Sequence, residues 1–295
     1  MNLIERIDRW AAVAPEATAH ISNGRTLTYG ELRGHSDGLA CYLTERLGED
    51  RRPIAVLGHR EPEMLIAFLG AVKSGRPYVP LDTALPQQRI DKILETSRAA
   101  LVLTPKDVLQ FSASQVRGSA RRVQVDEPFY ILFTSGSTGQ PKGVIITLAS
   151  LEHFITWMLA EQRFTELGEV FLNQAPFSFD LSVMDLYCSL ATGGTLFSIS
   201  RDLVANPKEL YRALTSSGLT TWVSTPSFAQ MCLVEDKFSD AMLPRVRRFL
   251  FCGETLPPQT AAQLLKRFQK QRFGTCMALL RRQSPRRPYA LMLRF

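Results

Sequence analysis

Short runs of apolar residues, rich in β-branched and aromatic side chains, recur along the chain. Such runs are typical of buried strands, and four of them stand out: Ile54–Gly58, Ala99–Thr104, Phe129–Phe133 and Arg248–Cys252. Three segments between these runs have the apolar spacing of helices: Pro62–Ser74, Leu85–Ser97 and Asn206–Ser216. Strands that alternate with helices predict an α/β fold with largely parallel sheets.

Glycine and proline residues support these helix boundaries. Gly75 follows the first helical segment and ends it, because glycine tolerates the left-handed backbone found after a helix. Asp82 and Pro86 are expected to open the second helix, and Pro207 the third.

The composition is that of a soluble globular protein. Of 295 residues, 45% are apolar and 21% are charged, and no apolar run approaches the length of a membrane span. The N-terminal residues have the spacing of a short amphipathic helix and include acids, so they do not resemble a secretory signal. The five cysteines and four histidines show no metal-ligand spacing, and we therefore expect no metal site and a reducing cytoplasm.

The net charge of +7 lies in one segment. Residues 269–295 contain seven Lys and Arg residues and no acid, which accounts for the whole excess. The basic balance therefore indicates no nucleic-acid-binding surface. Because this segment also lacks helix caps and a clear period, we divide the sequence into a body, residues 1–268, and an aberrant basic tail, residues 269–295.

A glycine-rich loop follows the apolar strand that begins near Tyr130. Its residues are Thr134, Ser135, Gly136, Ser137, Thr138 and Gly139, followed by Pro141 and Lys142. Glycines let backbone N–H groups approach phosphate oxygens, hydroxyls add donors, and a lysine supplies positive charge. The loop is not a Walker loop, because the residue directly before Lys142 is not glycine and the residue directly after it is not Ser or Thr. A flexible linker is the alternative, but a linker would not directly follow a buried strand.

Thr134–Gly143 resembles the phosphate-binding loop of the adenylate-forming superfamily. Three further stretches resemble motifs of amino-acid adenylation domains in the same order: Leu27–Leu32, Leu69–Asp82 and the pair Gly253 and Glu254 beside the nucleotide. The resemblance covers residues 1–268. It implies the large N-terminal domain of these enzymes, with stacked mixed and parallel sheets sandwiched by helices, and truncated here.

Asp180 distinguishes among the adenylating enzymes. In amino-acid adenylation domains, an aspartate at this place pairs with the substrate α-ammonium, whereas acyl-CoA synthetases have no ammonium to bind. A buried ammonium needs a carboxylate partner, or its desolvation costs several kcal/mol. The alternative for Asp180 is an ordinary helix N-cap before Leu181.

The stretches Asn173–Tyr187, Ser224–Cys232 and Phe249–Pro257 resemble the group of ligases that charge a small carrier protein with D-alanine. In that group a cysteine at the position of Cys252 lines the side-chain pocket, where a methyl group fits. A core cysteine at a strand end is the alternative, and both descriptions can hold together. Other small amino acids remain open as substrates.

The resemblance implies ATP and Mg²⁺ as cofactors and a two-step reaction. The amino acid is first activated as aminoacyl-AMP and then transferred to the phosphopantetheine thiol of a carrier protein. The family also uses a Tyr-Gly-Pro-Thr-Glu motif, an aspartate on the ribose and a lysine on a C-terminal domain, and none of the three occurs in this sequence. The catalytic lysine is thus absent, so we expect this chain to be inactive, and a non-catalytic fragment that binds ATP or a carrier protein is an alternative.

The tail also has an unusual reading in a shifted frame. When the last base of each codon is joined to the first two of the next, permitted codons for Cys276 and Met277 give tyrosine. The codons that follow, through Pro285, can give Gly-Pro-Thr-Glu-Ala-Thr-Val-Ala, which is the missing motif at its expected place. We hypothesise a single-base slip near Phe268, in a pseudogene or as a sequencing error.

Overall fold

The computed structural model describes residues 1–112, 121–135, 140–276 and 292–294. The chain divides into two compact units. Unit 1 contains Met1–Phe164 and Pro176–Ser178, and unit 2 contains Thr165–Ala175 and Phe179–Phe295. The body predicted from sequence, residues 1–268, is therefore subdivided.

Unit 1 is built from helices and strands that mostly alternate. Its helices are α1 Leu3–Val13, α2 Tyr29–Leu47, α3 Pro62–Lys73, α4 Gln87–Ser97, α5 Pro105–Ser112 and α6 Leu148–Gln162. Its strands are β1 Thr18–Ser22, β2 Arg25–Thr28, β3 Ile54–Gly58, β4 Tyr78–Asp82, β5 Leu101–Leu103, β6 Pro128–Ser135 and β7 Pro141–Thr147.

The unit 1 sheet has five strands in the order β5-β3-β4-β6-β7. Strands β5, β3, β4 and β6 are parallel, and β7 returns antiparallel to β6. Strands β1 and β2 form an antiparallel hairpin. Because parallel strands end at the same edge of a sheet, the ends of β3, β4 and β6 share one edge.

Apolar side chains cover this sheet. Ala55, Val79 and Leu81 of the strands pack with Ile90 and Ile93 of α4, and each is at most 3% exposed. Helix α3 is buried along its whole length, which agrees with its nearly unbroken apolar sequence.

The single lysine of α3 shows how a charge is accommodated in this interior. The ammonium of Lys73 lies 2.7 Å from carboxylate oxygens of both Asp8 and Asp37 and donates to Ser36 Oγ at 2.9 Å. Asp8 also pairs with Arg122 at 2.8 Å. Paired in this way, the buried ammonium links α1, α2 and α3, and its two carboxylate partners offset the cost of removing its charge from water.

Unit 2 follows the same alternation. Its helices are α7 Leu181–Thr192, α8 Arg201–Ala205, α9 Pro207–Ser216, α10 Pro226–Cys232 and α11 Pro258–Arg267. Its strands are β8 Val170–Asn173, β9 Thr195–Ser198, β10 Thr221–Ser224, β11 Arg248–Cys252, β12 Arg272–Cys276 and β13 Met292–Arg294.

The strands of unit 2 lie in the order β13-β12-β11-β10-β8-β9. The neighbours from β12 to β9 are parallel, and β13 is antiparallel to β12. Trp222 of β10 lies at the centre of an aromatic core, with ring centroids 5.2–5.7 Å from those of Phe228, Phe238 and Phe249. Its indole N–H donates to Ser224 Oγ at 2.8 Å, so the buried polar group is satisfied.

The α/β prediction from sequence is confirmed, and so are all four strands and three helices. The strand predicted over Ala99–Thr104 is shorter, and the helix predicted from Leu85 begins at Gln87. The prediction that Asp82 opens this helix was wrong. Asp82 ends β4, where its carboxylate accepts from the Ala84 amide at 2.8 Å and lies 2.8 Å from His59 Nδ1.

Two expectations from composition can also be compared with the structure. Over the described residues, no helix is both long enough and apolar enough to cross a membrane. In the same part of the chain, no group of three His, Cys, Asp or Glu residues is arranged to hold a metal ion.

Candidate functional site

The glycine-rich loop connects two paired strands of unit 1. Thr134 near the end of β6 lies opposite Lys142 of β7 in the antiparallel register, and Ser135 lies opposite Pro141. Thr134 is half-buried and Lys142 is exposed. Gly136, Ser137, Thr138 and Gly139 lie outside the described residues. Paired strands therefore hold the two ends of the loop together. A flexible linker would not need its ends to be paired.

This position suits a loop that binds an anion. Strand β6 runs parallel to β4, so the loop leaves the sheet at the edge where parallel strands end, which is where ligands bind in α/β sheets. Lys142 is the first residue after Pro141 in the returning strand, and its exposed ammonium can add charge to the backbone and hydroxyl donors of the loop.

Asp180 occupies the N-cap position of α7 in unit 2. Its backbone has φ −61° and ψ −27°, which is already helical, and its side chain makes no cap hydrogen bond. An ordinary N-cap aspartate has an extended backbone and accepts from the second or third amide of the helix. Asp180 therefore lies at the N-cap position, as the alternative from the sequence requires, but its carboxylate does not cap the helix.

The carboxylate of Asp180 is half-buried. Burial raises the pKa of this group above its usual value, and the backbone amides of Leu181 and of Asp180 itself offset the shift only in part. A carboxylate in this setting is stabilised by an incoming cation, because the cation supplies the favourable charge that solvent no longer provides.

Buried polar groups fix the connection between β8 and α7. The Asn173 amide donates to the Ala175 carbonyl at 3.1 Å and to the Asp185 carboxylate at 2.7 Å. Ser198 Oγ in turn donates to Asn173 Oδ1 at 2.7 Å. Since Asp185 belongs to α7 and Ser198 to β9, Asn173 ties the end of one strand to the next strand and to the helix that begins at Asp180.

Cys252 and Gly253 mark the end of β11, at the same edge of the unit 2 sheet. Cys252 is the last residue of the strand and is 4% exposed. Gly253 follows with φ +88°, a left-handed backbone that glycine adopts without strain. A Cβ at Gly253 would lie 3.8 Å from Thr225 Cγ2, so the constraint there comes from the backbone conformation and not from a clash.

Glu254 is exposed but held in place. Its carboxylate accepts a hydrogen bond from the Ser227 amide at 3.1 Å and another from the Ser227 hydroxyl. Ser227 lies in the first turn of α10, directly after β10, so Glu254 joins the ends of two neighbouring parallel strands. The geometry fixes the direction of one carboxylate oxygen along this edge.

The structure separates the predicted residues into two groups. The phosphate-loop residues belong to unit 1, whereas Asp180, Cys252, Gly253 and Glu254 belong to unit 2. Within unit 2, Cys252 ends β11, Gly253 and Glu254 follow it directly, and Asp180 starts the helix that follows β8.

Three side chains that hold this group were not predicted as site residues from the sequence. Asn173, Ser182 and Ser227 lie inside the informative stretches, and each makes a hydrogen bond to a candidate site residue or to its connecting segment. The only sequence signal was their place beside Asp180 or at a strand end. Their roles depend on contacts that the linear pattern does not show.

Nearly the whole chain is similar to part of a group of named ligases. It is 45% identical over 288 residues to D-alanine--D-alanyl carrier protein ligase of Bacillus cereus, covering 92% of this chain and 57% of the relative. The same enzyme of Bacillus anthracis is 45% identical over 287 residues, again covering 92% and 57%. The chain therefore spans little more than half the length of these relatives.

Solved structures share the fold. The N-terminal subdomain of Klebsiella oxytoca NpsA, in complex with 3-hydroxyanthranilyl-AMSN, matches with a TM-score of 0.81 at 23% identity, covering 94% of this chain and 72% of that one. The nonribosomal peptide synthetase FmoA3, in an AMPPNP-bound form, matches with a TM-score of 0.83 at 24% identity, covering 94% and 31%.

One family profile accounts for nearly the whole described chain. The family described as AMP-binding enzyme matches residues 7–277, which include the glycine-rich loop, Asp180 and the Cys252–Glu254 segment. The chain belongs to the AMP-binding enzyme family.

Proposed function

We propose that this chain is the amino-acid- and nucleotide-binding part of a ligase that activates D-alanine with ATP. A carboxylate oxygen of the amino acid attacks the α-phosphorus of ATP, the bond to the β,γ-diphosphate breaks, and alanyl-AMP and pyrophosphate form. In the complete enzyme, the phosphopantetheine thiol of a carrier protein then attacks the acyl carbon and releases AMP. The 45% identity to D-alanine ligases supports the substrate, and Asp180 is the observation that carries the assignment.

Asp180 supplies the charge that an amino acid needs. The ammonium group loses water on entering the site, and an ionised carboxylate offsets that cost. The Asp180 carboxylate makes no cap hydrogen bond, and burial raises its pKa because the backbone amides of Leu181 and Asp180 offset the loss of solvent only in part. A fatty or aromatic acid has no cation to offer here, so Asp180 favours an amino acid.

Cys252 is proposed to form a wall of the pocket for the substrate side chain. Its thiol is buried at the end of β11, and a small apolar group of this kind suits a methyl substituent. The preference between D-alanine and other small amino acids then depends on the space beside this sulfur, since one methylene in an apolar pocket changes binding only moderately.

The phosphates of ATP are proposed to bind at the glycine-rich loop of unit 1. Thr134, Ser135, Ser137 and Thr138 would provide hydroxyl donors, Gly136 and Gly139 would permit close backbone approach, and Lys142 would supply charge. Gly253 and Glu254 are proposed to lie beside the nucleotide. Mg²⁺ is proposed to bind with the nucleotide, since this ion commonly binds through substrate phosphates with few protein carboxylates. A cytoplasmic location would supply both ATP and the ion.

Binding of an acyl-adenylate analogue tests this proposal directly. We would titrate the full 295-residue chain with D-alanyl-sulfamoyladenosine and with the propionyl compound, which lacks only the ammonium group. We expect the alanyl compound to bind roughly 10- to 100-fold more tightly, as a charge-assisted hydrogen bond would give. Asp180→Asn should abolish this preference while leaving propionyl binding unchanged. Equal affinity of the natural chain for both compounds would refute the proposal.

A non-catalytic role of the chain is the second candidate. The chain spans 57% of the length of its relatives, so their complete reaction is a proposal for it and ligand binding alone is the alternative. Pyrophosphate exchange with D-alanine distinguishes the two. Analogue binding without exchange supports a binding fragment, whereas exchange above the level of a Lys142→Ala variant supports catalysis by the chain itself. A panel of small amino-acid analogues tests the substrate.

A further inference from the structure

The first turn of α7 contains a buried hydroxyl next to Asp180. Ser182 is 1% exposed, and its Oγ donates to the carbonyl of Phe179 at 2.7 Å. The backbone amide of Ser182 donates to the same carbonyl at 3.1 Å. Ser182 thus holds the residue that precedes Asp180 with two hydrogen bonds.

These bonds occupy the donors that an N-cap aspartate normally uses. A capping carboxylate accepts from the amide of the second or third helical residue, here Ser182 or Val183. The Ser182 amide is taken by the Phe179 carbonyl, and the Val183 amide donates to the Asp180 carbonyl at 3.1 Å. Because both amides donate to backbone carbonyls, neither is available to cap the helix through the Asp180 carboxylate.

An alternative conformation of this turn would remove Asp180 from the site. If the Phe179 carbonyl were released, Asp180 could take the extended backbone of an ordinary N-cap, and its side chain would then turn toward the Ser182 and Val183 amides. An N-cap of this kind stabilises a helix by about 1 kcal/mol, so the capped conformation competes with the tight first turn. The Ser182 hydroxyl favours the tight first turn because its bond to Phe179 exists only there.

We propose that Ser182 is a positioning residue that prevents Asp180 from capping α7 and so keeps its carboxylate available for the substrate ammonium. This inference rests on the proposed function, since it concerns how Asp180 meets an amino acid. Ser182 acts through Asp180 and does not itself contact the substrate.

Helix α7 offers a matched control. Ser189 is 0% exposed, and its Oγ donates to the Leu186 carbonyl at 2.8 Å, again three residues earlier in the same helix. Ser182→Ala and Ser189→Ala therefore delete the same kind of buried hydrogen bond. Only the first change affects the turn that carries Asp180.

The experiment measures the ratio of alanyl to propionyl affinity in the full chain. We expect Ser182→Ala to lower this ratio roughly five-fold by weakening alanyl binding alone, the effect of about one hydrogen bond. Ser189→Ala should leave the ratio unchanged at a similar loss of thermal stability. Ser182→Thr, which keeps the hydroxyl, should restore the ratio.

A double-mutant cycle shows whether the hydroxyl acts through the carboxylate. In an Asp180→Asn background, Ser182→Ala should not change the ratio further, because the ammonium partner is already gone. An unchanged ratio in Ser182→Ala alone, or an equal loss for both analogues, would overturn the inference. If the natural chain already shows no preference for the alanyl compound, it is the proposed function that fails, and the inference fails with it.

Discussion

At the scale of single residues, the candidate site depends on a few side chains whose surroundings change their chemistry. Aspartate before a helix normally caps it, yet Asp180 has a helical backbone and makes no cap bond. Cysteine at a strand end is normally a core residue, and Cys252 is buried in that way. The residue type alone did not distinguish these alternatives, because each depends on the neighbours of the side chain.

The raised pKa of Asp180 predicts how ligand binding depends on pH. The ammonium of the ligand requires an ionised Asp180, so affinity for the alanyl analogue should fall as pH decreases through the raised pKa of the free protein. Propionyl binding should stay level over the same range. Titrations between neutral and mildly acidic pH measure this, and parallel curves for the two compounds would contradict it.

The stability of the free protein should change in the opposite sense. The folded pKa of Asp180 lies above the unfolded one, so folding favours the protonated form. The contribution of protonated Asp180 to the free energy of unfolding is present at low pH. It is lost as pH rises from the unfolded pKa to the folded pKa. Asp180→Asn should therefore not lower the melting temperature of the ligand-free chain near neutral pH.

Cys252 provides a prediction about substrate size. Cys252→Ala should weaken the preference for an alanyl over a larger aminobutyryl analogue several-fold, because the deleted sulfur makes room for one more methylene. The change should also cost about 1–2 kcal/mol of stability through lost packing. Cys188→Ala, at a 0% exposed position in α7, is the control that should lower stability without changing the preference.

At the scale of elements, the site follows from where parallel strands end. Strands β8, β10 and β11 are parallel, so the segments after them meet at one edge of the sheet. Asn173 ties β8 to α7, and Ser227 ties α10 to Glu254. The elements themselves follow from apolar runs and helical spacing, but these cross-links between them do not.

The turn after β11 gives a prediction at this scale. Gly253→Ala should destabilise the protein by about 1–2 kcal/mol, because φ +88° is unfavourable for a residue with a Cβ. Gly34→Ala is a control for which we expect a stability change of the opposite sign. Gly34 lies inside α2 with no atom within 4 Å of an added Cβ, so alanine should stabilise the protein by about 0.5–1 kcal/mol.

Chemical denaturation of the two glycine variants measures these changes. Analogue affinity should also fall in Gly253→Ala, since the turn positions Glu254, and should be unaffected in Gly34→Ala. A neutral effect of Gly253→Ala on stability would show that the left-handed backbone is not needed there.

At the scale of the whole molecule, the basic tail, residues 269–295, differs in sequence from the rest of the chain. Its first part forms β12, which continues the parallel sheet beside β11, and the family match extends to residue 277. The curated relatives are longer, since the chain spans 57% of them. The division at residue 268 and the shifted frame remain predictions.

The DNA sequence tests the frame shift. We expect the Cys276 codon to be TGT and the shifted frame to stay open through the Tyr-Gly-Pro-Thr-Glu motif and beyond. A TGC codon, or a stop soon after the motif, would contradict the hypothesis and favour a non-catalytic chain with its own tail.

The sequence by itself determined the class of fold and most strands and helices, and it supplied the candidate site residues. Burial of apolar runs and the conformational limits of glycine and proline act locally, so they can be read from neighbouring positions. The glycine-rich loop was recognisable for the same reason, whereas Asp180 was singled out by the resemblance to amino-acid adenylation domains. The hairpin that flanks the loop and the place of Asp82 at a strand end needed the tertiary structure.

Only the tertiary structure decided what the Asp180 carboxylate can do. Whether it caps α7 or remains available depends on the Ser182 and Val183 amides, both of which donate to backbone carbonyls. Its raised pKa depends on burial, which the folded chain provides and the linear sequence does not show. The identity of a residue limits its chemistry, but its hydrogen-bond partners and solvent access come from the folded chain.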